Sequence, residues 1–267
     1  MTISIDPIIF NIGSHAIGWH GVLMVLGIVV AVLLTLRLAK RAGISEESIF
    51  TSAFCIVLFG LIGARLVHVL DNLDLYRDDP ASIFAFWEGG LAWYGGLVGG
   101  FLGGAVYARV GKLSLARLAD AVAPGVILGL AIGRIGCTIN GDVSGTSTSL
   151  PWGIAYTHPD SYPVIWGQGG IPLHPVAIYE IILCLAIFAS LWWLRGRLKP
   201  DGSLLLVMLA TYSFGRFFLS WLRLEEVEAA LLGPLHQAHI ISLVLFIGAV
   251  ALLLYRKVGW AKPEVEE

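Results

Sequence analysis

Charge is scarce in this sequence. Only 13% of its 267 residues are Asp, Glu, Lys or Arg, against about 25% in an ordinary soluble domain. The net charge of -2 and the lack of a basic run exclude the electrostatic footprint of a nucleic-acid binder. No Lys or Arg precedes Arg37, so the basic start of a cleaved secretory signal is missing and the first apolar run is expected to be a retained span. Cysteine is nearly absent too. Cys55, Cys137 and Cys184 lie in or beside apolar runs without zinc-type spacing, so neither a disulfide framework nor a metal centre is expected, and each thiol reads as a small hydrophobe. Internal repeats and low-complexity tracts are also missing.

What is present is apolar. The chain is 57% hydrophobic with a mean hydropathy of +0.81. A membrane-crossing helix needs about 20 mostly apolar residues, and seven windows supply them: 17–36, 48–70, 91–108, 119–137, 175–194, 203–222 and 238–255. The expectation is an all-α integral membrane protein, one membrane domain over 1–267. Twelve of the 17 Lys and Arg residues follow the first, third, fifth and seventh windows: Arg37, Lys40, Arg41, Arg109, Lys112, Arg117, Arg195, Arg197, Lys199, Arg256, Lys257 and Lys262. Basic connectors stay cytoplasmic, which places the N-terminus outside and the C-terminus inside. Residues 138–173, between the fourth and fifth windows, form the longest external segment. Its Trp152, Tyr156, Tyr162 and Trp166 favour an ordered stretch at the membrane interface, where amphipathic rings settle.

Three arginines interrupt the apolar pattern. Arg65 and Arg134 stand near the outer ends of the second and fourth windows, and Arg216 in the outer half of the sixth. An arginine at a helix centre costs on the order of 2.5–3.5 kcal/mol on insertion scales and usually faces a polar cavity. Each alone is equally well read as a snorkelling side chain or a member of a structural ion pair; together they favour one anion site, and guanidinium forks suit a phosphate such as a phospholipid head group. Around Arg134 runs "GRIGCTINGDVSG", with Asn140, Asp142 and several glycines. "EGGLAWYGGLVGGFLGG", Glu88 to Gly104, carries four glycine pairs, for which helix packing is the simpler reading, and Tyr94 between the first two. "LHPVAIYE" opens the fifth window with His174 and sets Tyr179 and Glu180 further in; a carboxylate there needs a partner, with the three arginines as candidates. His20, His68, His158, His236 and His239 stand near expected outer ends, where a histidine is more often a hydrogen-bonded polar residue than a base.

The "GRIGCTINGDVSG" stretch, with "GWHGVLMVLG", "GARLVHVL", "WEGGLAWYGGLVGG", "DAVAPG", "PWGIAY", "HPVAIYE", "YSFGRF" and "HIISL" in that order, resembles the bacterial prolipoprotein diacylglyceryl transferase family over almost the whole chain. The resemblance implies a multi-pass enzyme of the bacterial plasma (inner) membrane working at its outer leaflet, without cofactor or metal. Its partners would be membrane lipids, phosphatidylglycerol above all, and the signal peptide of a prolipoprotein. The diacylglyceryl group would pass to the lipobox cysteine as a thioether, releasing glycerol phosphate.

Carried over by motif position, Arg134, Arg216, Tyr94 and His20 would be catalytic. Arg65, Asn140, Gly141, Gly145 and Tyr212 would join the two arginines in holding the lipid, and Cys137, Asp142, His174, Glu180 and His239 would support them. Four positions depart from the family pattern: His20 replaces a tyrosine, Tyr94 a histidine, Cys137 an asparagine and Ser220 a carboxylate. His20, Tyr94 and His174 all remain open as the group that takes the proton. The alternatives are a paralogue that binds phospholipid but serves another acceptor or none, or a seven-span transporter or receptor. A retinal protein would need a lysine inside the seventh window, and a CDP-alcohol phosphotransferase would need clustered aspartates.

Overall fold

The computed structural model describes residues 1–13, 15–77, 79–86, 89–224 and 235–260, without the side chains of Arg41 and Trp93. Trp87, Glu88 and Lys262 of the sequence reading lie outside the described residues. Helices dominate: α1 (Trp19–Arg41), α2 (Glu46–Asp71), α3 (Trp93–Val110), α4 (Leu115–Asn140), the short α5 (Tyr162–Ile165), α6 (Val176–Leu194), α7 (Ser203–Ser220) and α8 (Gln237–Tyr255). The seven long ones coincide with the seven apolar windows. Several run further than the hydropathy; α1 carries Arg37 and Lys40 on its last turns, because backbone bonding continues after the side chains turn polar.

Six of the seven are long and apolar enough to cross a membrane, and their outer faces, such as Leu243, Val244 and Ile247 on α8, are exposed. So wide an apolar surface suits lipid rather than water, and the protein is an all-α integral membrane protein. The seventh, α3, is less apolar because six of its 18 residues are glycines that bring no hydrocarbon. Local signals set the ends. Ser45 caps α2 by accepting from the Ser48 N–H, with Glu46 and Glu47 in the first turn, where a carboxylate meets the positive end of the helix dipole.

The chain divides into two compact units, Thr35–Ala121 and the remainder, Met1–Leu34 with Val122 onward. In the Thr35–Ala121 unit α2 packs on α3 through glycine. A Cβ on Gly95 would stand 2.2 Å from the Gly63 carbonyl oxygen, one on Gly99 2.2 Å from that of Phe59, and one on Gly103 2.6 Å from that of Cys55. Small residues four apart thus let the two backbones touch.

In the other unit Ala123, Ile127 and Ala131 of α4, Cys184, Ile187 and Leu191 of α6, and Leu204 and Met208 of α7 form the buried core. Leu206 and Ala210 of α7 meet Ala249 of α8. Gly27 of α1 lies against Gly129 of α4. Residues 141–175 fold over the ends of these helices. Ala155–Tyr156 pairs in parallel with Thr2–Ile3, and Leu173 bridges to Ser147 and Ile154. Trp152 and Tyr162 are exposed, whereas Tyr156 is turned inward, 4% exposed, because its hydroxyl donates to the Thr138 carbonyl at 2.7 Å.

Candidate functional site

Consecutive long helices in the unit containing α4 alternate in direction, so the start of α1, the end of α4, the start of α6 and the end of α7 carry the polar residues. Arg134 and Cys137, three apart on α4, share a face. Arg134 Nη2 donates to Glu180 Oε1 of α6 at 3.0 Å, and Nε stands 2.9 Å from Oε2, close enough for the charges but out of line for a hydrogen bond. The Tyr212 hydroxyl of α7 donates to the same Oε1 at 2.5 Å. Glu180 is fully buried and the Arg134 side chain is 14% exposed. Arg134 is therefore the arginine that answers Glu180, and the pair is electrically neutral.

Arg216 follows Tyr212 by one turn. Its Nη1 is buried and has no hydrogen-bond partner among the described residues. Ser220, where the family pattern has a carboxylate, turns its hydroxyl back to the Arg216 carbonyl at 2.9 Å and so supplies no compensating charge. One neutral pair and one surplus cation leave a positive site.

A second cluster adjoins the first through Arg134. Nη1 of Arg134 donates to Cys137 Sγ at 3.5 Å, Sγ lies 3.6 Å from His20 Nδ1 of α1, and that nitrogen lies 3.8 Å from Asp142 Oδ2. Glycine makes this possible. A Cβ on Gly136 would meet the His20 Cα at 2.7 Å, so the absence of a side chain there lets the first turn of α1 close on α4. Gly141 has a φ of +79° and sits against Pro163, turning the chain so that Asp142 returns toward His20. Burial pushes the Asp142 carboxyl above the ordinary carboxylate range, against the opposing pull of His20, Arg134 and Arg223. The Tyr156 hydroxyl is pushed up to about 12, again by burial, which keeps it a neutral donor.

The remaining candidates fall in different places. Asn140 Oδ1 is buried without a hydrogen-bond partner among the described residues. Gly145 is packed between the Leu222 carbonyl and the His174 Cβ, so it and Gly141 shape the backbone. His174 Nδ1 is 3.4 Å from the Tyr179 hydroxyl, which accepts from Trp152 Nε1 at 2.7 Å; among the described residues no hydrogen bond or ion pair joins this group to Arg134. His239 is buried against the Trp221 and Phe217 rings, and its Nδ1 accepts from the His236 N–H at the start of α8.

Arg65 and Tyr94 belong to the Thr35–Ala121 unit. Arg65 is buried and donates to the carbonyls of Ser82, Ile83, Gly89 and Gly90, with its guanidinium 5.3 Å from the Tyr76 ring centroid. Gly90 has a φ of +69° and leaves no room for a Cβ beside Arg65 and His68. Tyr94 stands in the first turn of α3. Sequence reasoning gave Tyr156 no role beyond the interface; its place in "PWGIAY" was the available signal, and its bond to Thr138 fixes the end of α4 beneath the site.

The family model for prolipoprotein diacylglyceryl transferase matches residues 7–255. Among relatives bearing the name phosphatidylglycerol–prolipoprotein diacylglyceryl transferase, that of Clostridioides difficile is 36% identical over 250 residues, covering 94% of this chain and 95% of its own length. That of Geobacter sulfurreducens is 33% identical over 263 residues, covering 96% and 98%. That of Staphylococcus aureus strain Newman is 32% identical over 259 residues, covering 97% and 92%.

Proposed function

The chain belongs to the prolipoprotein diacylglyceryl transferase family, and on that premise we propose that it moves the diacylglyceryl group of phosphatidylglycerol onto the lipobox cysteine of a prolipoprotein. The observation that carries this reading is the surplus positive charge: Arg216 Nη1 is buried and has no hydrogen-bond partner among the described residues, beside the neutral Arg134–Glu180 pair. A buried cation of this kind is costly unless an anion joins it, and a phosphodiester at the lipid interface is an anion of the right class. Arg216 and the exposed edge of Arg134 hold the phosphate, and Glu180 and Tyr212 hold Arg134 in position.

The chemistry needs little more. The acceptor thiol gives up its proton, and the sulfur attacks the diacylglyceryl carbon bonded to the phosphate oxygen. The C–S bond forms as the C–O bond breaks, and glycerol phosphate leaves with the electron pair. The free thiol has a pKa of about 8.5, so a proton acceptor in a positive field speeds the step, and fixed donors stabilise the charge on the leaving oxygen. His20, beside Arg134 through Cys137, takes the proton. Tyr94 enters by motif position as a donor to the phosphate or glycerol oxygens. Arg65, with its donors already on the backbone carbonyls of Ser82, Ile83, Gly89 and Gly90, holds those residues in place. The acceptor brings its own cysteine, so no enzyme nucleophile is needed.

Seven spans, an external N-terminus and a site at the outer leaflet of the bacterial inner membrane complete the reading. The basic residues at the opposite helix ends support it: Lys199, Arg256 and Lys257 lie where α6, α7 and α8 turn, and Arg256 Nη2 donates to the Asp201 carbonyl at 2.7 Å. The test is transfer of labelled diacylglyceryl from phosphatidylglycerol to a lipobox peptide by the purified protein. Thioether product that vanishes with Arg216→Ala and with a serine-for-cysteine peptide is expected. Transfer that survives Arg216→Ala would refute the phosphate assignment.

A further inference from the structure

Three atoms of different chemistry converge at the first turn of α1. Cys137 Sγ, His20 Nδ1 and one Asp142 carboxylate oxygen all lie within 4.8 Å of one another, with the sulfur 3.6 Å and Oδ2 3.8 Å from the nitrogen. A thiol, an imidazole and a carboxylate suggest at first a proton relay. A relay needs the thiol on one ring nitrogen and the carboxylate on the other. Here both face the same Nδ1, so His20 cannot pass a proton from one to the other through its ring.

That arrangement is instead the one a chelate requires. Tetrahedral zinc with Zn–S near 2.3 Å and Zn–N near 2.0–2.1 Å sets its sulfur and nitrogen about 3.5 Å apart, which the Sγ–Nδ1 separation matches. We propose that His20, Cys137 and Asp142 form a binding site for a thiophilic divalent cation of the zinc class, and that its occupation stops the transferase.

The donor set suits a cation even with Arg134 beside it. Asp142 Oδ1 is buried without a hydrogen-bond partner among the described residues, and the other carboxylate oxygen lies 3.8 Å from His20 Nδ1. Arg134 Nη1 already donates to the sulfur, the outer hydrogen bond that a metal-bound thiolate, with lone pairs to spare, accepts. Cys137 itself is buried, whereas the His20 and Asp142 side chains are 36% and 26% exposed and leave a way in. Three protein ligands leave a fourth position for water. The ligands come from two helices and a turn held by Gly136 and Gly141, so the site is formed by the fold. Asp6, His158 and Asp160 also cluster, but that group is largely exposed and has no thiol. Binding stands on this geometry alone; inhibition rests on the transfer reading, since a metal on Nδ1 takes His20 out of service and crowds Arg134.

Cobalt(II) is the probe, titrated into the purified full-length protein in detergent. The result expected is a sulfur-to-cobalt charge-transfer band, displaced by zinc, absent in C137S, weakened at least about 10-fold in affinity in H20Q and D142N, and unchanged in H158A. Zinc should stop labelled diacylglyceryl transfer in the wild type, a chelator should restore it, and whatever transfer C137S retains should resist zinc. Absence of the band, or its survival in C137S, overturns the site; H20Q and D142N without effect do the same should C137S not fold. A band with transfer indifferent to zinc overturns the inhibitory half. A band in a protein that transfers nothing leaves the metal site standing and defeats the transfer reading instead.

Discussion

Removing Arg134 and Glu180 one at a time and then together separates scaffolding from phosphate binding. Arg134→Met would leave the Glu180 carboxylate charged and fully buried, with Tyr212 as its remaining donor. Breaking a buried ion pair from one side costs about 3–5 kcal/mol. At roughly 2–4 °C per kcal/mol for a domain of about this size, thermal unfolding in detergent should fall by roughly 6–20 °C. Glu180→Leu should cost less, because Arg134 has an exposed edge through which to find water. The double variant Arg134→Met/Glu180→Leu removes both charges and fills the gap with hydrocarbon, so stability should return to within about 1 kcal/mol of the parent. Transfer should not return with it. Loss of a fixed donor at a developing oxyanion lowers turnover about 10²–10³-fold, and the double variant should show that loss per folded molecule. Tryptophan fluorescence gives the unfolding curve and labelled phosphatidylglycerol the rate. A stable double variant with full transfer would refute the phosphate role of Arg134 and leave it as a structural ion pair.

Three further outcomes follow from the geometry. Tyr212→Phe deletes one hydrogen bond to a charged acceptor, worth about 1.5–3 kcal/mol, and should lower the unfolding temperature while keeping measurable transfer, since Arg134 still touches Glu180. Gly99→Ala should cost about 1–3 kcal/mol or more by driving α2 and α3 apart, whereas Gly100→Ala, whose Cβ meets Ile56 at 3.4–3.5 Å, should be neutral or gain a few tenths; equal melting temperatures would defeat the account of the glycine stripe. His20→Phe should abolish most transfer and His68→Phe should not, because His68 stacks edge-on to Tyr76 6.1 Å away; similar mild losses would remove His20 from proton transfer.

Hydropathy and length are local properties, and they are enough to locate the seven long helices of the described residues. The extra turns of α1 and α4 were not legible, because helical hydrogen bonding runs on past the last apolar side chain. The resemblance is carried by motif residues, and the family match over residues 7–255 agrees with it. Partner choice is another matter. Nothing in "LHPVAIYE" says which arginine answers Glu180, which lies 46 residues from Arg134. Arg65 and Arg216 look alike as isolated charges in apolar runs. Yet Arg65 spends its donors on a loop of carbonyls and Arg216 keeps a buried nitrogen unpartnered among the described residues. His20 and Cys137 stand 117 positions apart and come within 3.6 Å only because Gly136 has no side chain to hold α1 away from α4. Which segments are long and apolar enough to enter a membrane, and which charged residues lie among them, is legible in the sequence, since apolar length needs no partner; which of those charges cancel and which is left over is decided by tertiary structure, because an ion pair exists only at the distance the packed helices allow.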